Sequence, residues 1–276
     1  PTLTPTTAAG DPPPSGEAAR LIKVAEVLQT SGRPNDALVV IERALALAPH
    51  SLDALVMKGL CYQAVGAVRD AFNTYNAVLF TDPAHVLALR AMGLLFQTQG
   101  LLTEAAQAFR RALDGSQPHD AATKERLAAT LTDLGTRVKL MGSPTDAIAH
   151  YREASTVDPS YAPAFYNLGV VLSEGGRHDD ALECYLSTVR LSPLHAEAHC
   201  NTGVLRKLRG DLPGAIAAYE ACLRVNPNHQ LGRANLSIAL GDHATAIKAG
   251  GGAGSVGGAG KDAAGVSAGG APGHGA

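Results

Sequence analysis

Apolar residues recur every three or four positions along most of this chain, in short stretches broken by glycine and closed by proline. That spacing draws the stripe of an amphipathic helix. The segment AFYNLGVVLSEGGRHDDALECYLSTVRLSP (164–193) holds two such stripes with a glycine pair between them. The segment also recurs. A shift of 34 carries Gly169 onto Gly203, Ala181 onto Ala215, Tyr185 onto Tyr219 and Pro193 onto Pro227. The same frame continues backward through Gly135, Ala147, Tyr151 and Pro159, and again at Gly59, Ala71, Tyr75 and Pro83. A fixed period of this length predicts a solenoid of stacked supersecondary units.

Six units follow, at 18–51, 52–85, 86–127, 128–161, 162–195 and 196–229. Position 15 is glycine in every unit: Gly32, Gly66, Gly100, Gly142, Gly176 and Gly210. A glycine there can take the left-handed conformation that ends a first helix. Position 8 is small (Ala25, Gly59, Gly93, Gly135, Gly169, Gly203), and position 20 is always alanine. Small residues at both places let two antiparallel helices approach closely. Position 24 (Ile41, Tyr75, Phe109, Tyr151, Tyr185, Tyr219) supplies the bulk that fills the gap beside them. Proline at position 32, absent only at Gln117, stops the second helix. This pattern resembles the tetratricopeptide repeat. The resemblance implies an all-α, right-handed superhelical solenoid of helix pairs over residues 18–249.

The period breaks once. The third and fourth units start 42 residues apart, with SQPHD reading as a loop and a longer first helix starting near Asp120. DLGTRVKLMG (133–142) is echoed 109 residues later by DHATAIKAGG (242–251). A seventh unit therefore begins, and its first helix is expected to reach about Ala249 and to cap the solenoid. Residues 1–17 and the glycine-rich 250–276 read as disordered flanks.

Composition removes several function classes. The 276 residues are 46% hydrophobic but only 4% aromatic, with no Trp, which suits slender, closely packed helices. A formal net charge of −2 gives no broad pull toward nucleic acid or anionic membrane. There is no apolar run long enough for a membrane-spanning helix. Cys61, Cys184, Cys200 and Cys222 form no CxxC pair and read as reduced thiols.

The order LTDLGTRVKLMG, YAPAFYNLGVVLSEGGRHDDALECY, AEAHCNTGVLRKLRGDLPGAIAAYEACLRVNPN is similar to the amino-terminal repeat arm of the SPINDLY family. These are plant-type relatives of the nucleocytoplasmic O-GlcNAc transferases. The resemblance implies an arm that selects intracellular protein substrates for O-fucosyl or O-GlcNAc transfer to Ser/Thr. It places the protein in nucleus and cytoplasm, with clients that include growth repressors of gibberellin signalling. GDP-fucose or UDP-GlcNAc would serve a catalytic region that these residues do not include. No cofactor or catalytic residue is expected within the chain, which alone should not transfer sugar. A free-standing interaction scaffold is the competing reading.

The resemblance also implies a ladder of asparagines at position 6, gripping extended peptides in the concave groove through carboxamides that both donate and accept. Here position 6 holds Lys23, Met57, Ala91, Asp133, Asn167 and Asn201, and Asn235 follows 34 later, although the 109-residue echo would put Asp242 at that rung. Asn167, Asn201 and Asn235 are thus the candidate peptide-binding residues, with bracing of neighbouring helices as the alternative role. Dimerisation through outer faces, as in related arms, stays open. The lysine and asparagine of a carboxylate clamp, expected at positions 5 and 9, are met in no unit. His195, His199 and Cys200 share no helix face that suits a metal, so no metal site is expected. GSVGGAGKD lacks the spacing and the Ser/Thr of a phosphate loop. Cys184 and Cys222 read as buried apolar residues, and Arg206, Lys207 and Arg209 as a solvated helix end.

Overall fold

The computed structural model describes residues 16–115 and 120–251. The expected flexible flanks fall mostly outside these residues, but the first helix already begins at Gly16. Thirteen helices are present among the described residues. They pair as α1 (Gly16–Thr30) with α2 (Pro34–Leu47), α3 (Leu52–Ala64) with α4 (Val68–Thr81), and α5 (Val86–Thr98) with α6 (Leu102–Gly115). Then come α7 (Ala121–Leu140) with α8 (Pro144–Val157), α9 (Ala162–Glu174) with α10 (His178–Leu191), and α11 (Ala196–Leu208) with α12 (Leu212–Val225). The last is α13 (Gln230–Gly251).

Each turn is built the same way. The six position-15 glycines have φ between 72° and 87°, a region where a Cβ is strained. The amide after each glycine donates back five residues, as Ala67 does to Tyr62 at 2.9 Å and Arg177 to Leu172 at 2.8 Å. This satisfies carbonyls that the helix end would otherwise leave unpaired. At the far end of a pair, the residue before proline is extended, with φ −130° at Asp82 and −131° at Asp158. Their carboxylates accept from Ala84 at 3.0 Å and Ser160 at 2.9 Å, closing the step to the next unit.

Packing follows the small-residue pattern. A Cβ placed at Gly93 would lie 2.6 Å from the Phe109 ring, and one at Gly135 2.6 Å from Tyr151. Tyr75, Phe109, Tyr151 and Tyr219 are fully buried between the helices of their own pairs. In the first unit the same space is shared by Ala25 and Ile41, both buried.

Each helix packs on its neighbours in sequence, and odd-numbered helices also meet: α1 with α3, α3 with α5, α7 with α9, α11 with α13. No comparable pairing joins the even-numbered helices among the described residues. The odd helices therefore lie on the tighter, inner side of the curve.

The long α7 shifts the stack. Gln97 of α5 donates to Thr130 at 2.7 Å, in the first half of α7, whereas Lys139 in its last turn meets Glu174 of α9 at 2.9 Å. α7 has 20 residues against 13 in α9, about 10 Å more at 1.5 Å per residue, and it meets the earlier units along its length, Arg137 donating to the Gly100 carbonyl at 3.0 Å. Asp120 caps α7. Burial opposes its charge, yet hydrogen bonds from Thr123 and the nearby Arg90 hold its carboxyl below the ordinary carboxylate range. No helix among the described residues is long and apolar enough to cross a membrane.

Candidate functional site on the inner side

The inner side between α7 and α13 carries most of the polar side chains singled out by the sequence. Asn167 sits on α9, Asn201 on α11 and Asn235 on α13, all half-buried. Their surroundings differ. Asn167 hydrogen-bonds to no group among the described residues and is the open rung. The Asn201 carboxamide lies beside the hydroxyls of both Tyr166 and Tyr185. Asn235 lies close to the Cys200 sulfur. Asp133, one rung before Asn167, is exposed on α7.

Around Asn201 lies an aromatic floor. The Tyr166 ring is 4.4 Å from the His195 imidazole and 6.0 Å from Tyr185. Desolvation raises both phenols, so they stay neutral donors and acceptors at any physiological pH. His195 also caps α11, its Nδ1 accepting from Ala198 N–H at 3.2 Å. Charged pairs stitch the rim: Lys139 with Glu174, and Lys207 with Asp242 at 2.9 Å. Such half-exposed pairs contribute about 0–1 kcal/mol each and serve register more than stability. The surface offers neutral hydrogen-bonding groups beside flat rings, which suits an extended polypeptide better than a small charged ligand.

His199 and His195 do not gather at Cys200. His199 Nε2 lies 2.9 Å from the Pro193 carbonyl instead. Cys200 meets Cys222 and His229, a grouping that sequence adjacency did not reveal. Arg206, read as part of a solvated helix end, is half-buried and donates to the Gly214 carbonyl at 3.2 Å; Lys207 is likewise half-buried. Away from the inner side, a cavity of about 470 Å³ lies between the start of α7 and the α8–α9 turn, lined by Lys124, Glu125, Asp158 and Tyr161.

Comparison with known proteins matches this geometry. Family profiles described as tetratricopeptide repeats align with residues 28–93 and 168–229, and a TPR-repeat profile with 141–174. The chain is a tetratricopeptide solenoid. The sequence of this solenoid is 40% identical over 158 residues to a probable UDP-N-acetylglucosamine--peptide N-acetylglucosaminyltransferase SPINDLY of Hordeum vulgare, covering 57% of the chain and 17% of the relative. The Arabidopsis thaliana SPINDLY is 39% identical over 113 residues, covering 41% of the chain and 12% of the relative. The tetratricopeptide chain thus spans less than a fifth of these relatives. Among solved structures, Pseudomonas aeruginosa pilF superposes with a TM-score of 0.52 at 18% identity, over 79% of the chain and 95% of pilF. The Naa15/Naa10 complex bound to HypK gives 0.55 at 18% identity, over 84% and 35%. These two share the fold.

Proposed function

We propose that this solenoid is a protein-selecting arm of a SPINDLY-like intracellular glycosyltransferase. It holds Ser/Thr-bearing segments of nuclear and cytoplasmic proteins as extended peptides along the inner side. The donor, GDP-fucose or UDP-GlcNAc, would be bound by a region outside these residues. The observation that carries the reading is the 40% identity to SPINDLY over 158 residues. The inner side supports it, with an open carboxamide at Asn167 and a second at Asn201 beside the Tyr166 hydroxyl. A peptide backbone can bond both, whatever its side chains.

The test is binding of unstructured Ser/Thr-rich peptides by fluorescence anisotropy, before and after Asn167→Ala with Asn201→Ala. The expected result is at least a tenfold loss of affinity with unchanged helicity. Peptides that fail to bind the intact protein overturn the reading. The transcript separates arm from scaffold: continuation into a nucleotide-sugar-binding region supports the arm, and a stop after Ala276 supports a scaffold without attached enzyme.

A further inference from the structure

The sixth unit carries two thiols at positions where the other units have none. Position 5, Cys200 here, is Ile22, Val56, Arg90, Thr132 and Tyr166 elsewhere. Position 27, Cys222 here, is filled by Ala44, Val78, Ala112, Ala154 and Thr188 in the other units. Cys200 on α11 is 4% exposed, and Cys222 on α12 is fully buried. The half-buried His229 stands in the turn that follows. The two sulfurs and an imidazole nitrogen all lie within 4.8 Å of one another.

A second feature points to the same spot. The third residue of α13 is Gly232, where α3, α5, α9 and α11 all have alanine. A Cβ at Gly232 would come within 3.0 Å of Cys222 Sγ and 3.1 Å of His229 Nδ1. The imidazole at this turn recurs as the helix cap at His85 and His195, but the two thiols and the missing methyl between sulfur and nitrogen are particular to this unit.

We propose that Cys200, Cys222 and His229 form a binding site for a thiophilic d10 cation, with zinc as its natural fit. Tetrahedral zinc with sulfurs at about 2.3 Å and nitrogen at about 2.0–2.1 Å places such ligand atoms roughly 3.5–3.8 Å apart. From a spread of 4.8 Å at most, the cluster needs to close by no more than about 1.3 Å. Two thiolates and an imidazole select against magnesium and calcium, which want oxygen. Asn235 lies close to the Cys200 sulfur, where its amide would serve as an outer-shell donor to a thiolate.

Binding has two built-in consequences. Two of the three ligands are thiols, which ordinarily hold their protons near neutrality, and only the thiolate ligates. Ligation then expels two protons, and affinity climbs by up to about a hundredfold per pH unit near neutrality. Secondly, His229 Nδ1 accepts from Gly232 N–H at 2.9 Å, the same cap that His85 and His195 give their helices. On ligation that lone pair passes to the cation and the Gly232 amide loses its cap. The cation would tie α11, α12 and the start of α13 together, fixing the spacing of Asn235 from Asn201.

The experiment is a cobalt(II) titration of the reduced, chelator-treated protein. The expected result is a sulfur-to-cobalt charge-transfer band that saturates at one equivalent, is displaced by zinc and is untouched by magnesium. Cys222→Ala and Cys200→Val place residues that other units already carry, so both should keep the fold by circular dichroism and lose the band. His229→Ser preserves a cap of the kind Ser51 provides. It should weaken zinc binding by more than the roughly 10- to 100-fold typical of an outer-shell loss. Absence of the band in the intact protein, or zinc affinity unchanged in folded Cys222→Ala, overturns the proposal.

Discussion

The close approach of glycine and ring inside each pair can be tested at Gly93. Gly93→Ala adds one methyl, placed 2.6 Å from Phe109 Cε1, 2.8 Å from Cζ and 2.9 Å from Cδ1. Ordinary carbon contacts lie at about 3.5–4.0 Å, so ring or helix must give by about 1 Å. The ring has little room to do so, being 1% exposed and packed in the cluster of Leu102, Ala105 and Leu131. Overpacking of this kind destabilises by about 1–3 kcal/mol. Alanine's better helix propensity returns about 1 kcal/mol. The expected net loss is about 1 kcal/mol, read from urea unfolding followed by far-UV circular dichroism. The slope must be checked, because stacked units can unfold separately. The first unit shows how the clash is relieved, with Ala25 beside Ile41. Phe109→Ile should therefore be about 1 kcal/mol less damaging in the Gly93→Ala background than alone, a coupling that independent sites would not show. Strict additivity, or a Gly93→Ala variant stabilised by the full propensity gain, refutes the reasoning.

Other outcomes follow from the same structure. Gly169→Leu, whose Cβ alone would meet Tyr185 Cε1 at 2.8 Å, should lower stability by about 2–3 kcal/mol in thermal unfolding. Gly66→Ala forces a Cβ into a φ of 80° and should cost about 1–2 kcal/mol despite open space around it. The Cys184 thiol, raised to about 11 by desolvation against an unfolded value of 9.0, favours the folded state while protonated. Its contribution is complete below pH 9 and is lost as pH rises toward 11, so Cys184→Ala should flatten the alkaline limb of a stability–pH curve.

Much of this architecture was written locally. The position-15 glycines, the small residues at 8 and 20 and the ring at 24 each act within one helix pair, so a 34-residue shift exposes them. The inner side was less legible because its contacts join different units. Nothing in the spacing of Asn201 says that two phenols, Tyr166 one unit back and Tyr185 on the outer helix, stand beside its carboxamide. Cys200 looks paired with its neighbours His195 and His199. Helix geometry instead sends His199 toward Pro193 and brings in Cys222 and His229 from farther along the chain. The signal that could have found them was the coincidence of Cys at positions 5 and 27, His at 34 and a glycine in place of alanine at 232.

The echo between α7 and α13 leads to a last prediction. The second half of α7 is covered by α8: Leu131 and Gly135 are buried, and Tyr151 lies over Gly135. The matching residues 109 further on are Leu240 and Ala244, with Ile247 matching Val138. Leu240 is 49% exposed and Ile247 60%, so among the described residues that half of α13 lacks the cover that α7 enjoys. Full burial of a Leu or Ile side chain contributes about 1.5–3 kcal/mol, so covering what is open here would add roughly 2 kcal/mol. Native-state hydrogen exchange should find amides 240–248 opening at much lower free energy than 131–139. Grafting residues 143–157 after position 251 should raise that protection. Ala244 already carries the methyl that Gly135 lacks, so the graft should work better with Ile than with Tyr at the place of Tyr151, as Ile41 does beside Ala25. Equal protection of the two segments without any graft would mean that α13 is held by its first half alone, and that its open apolar face has no helix-docking role.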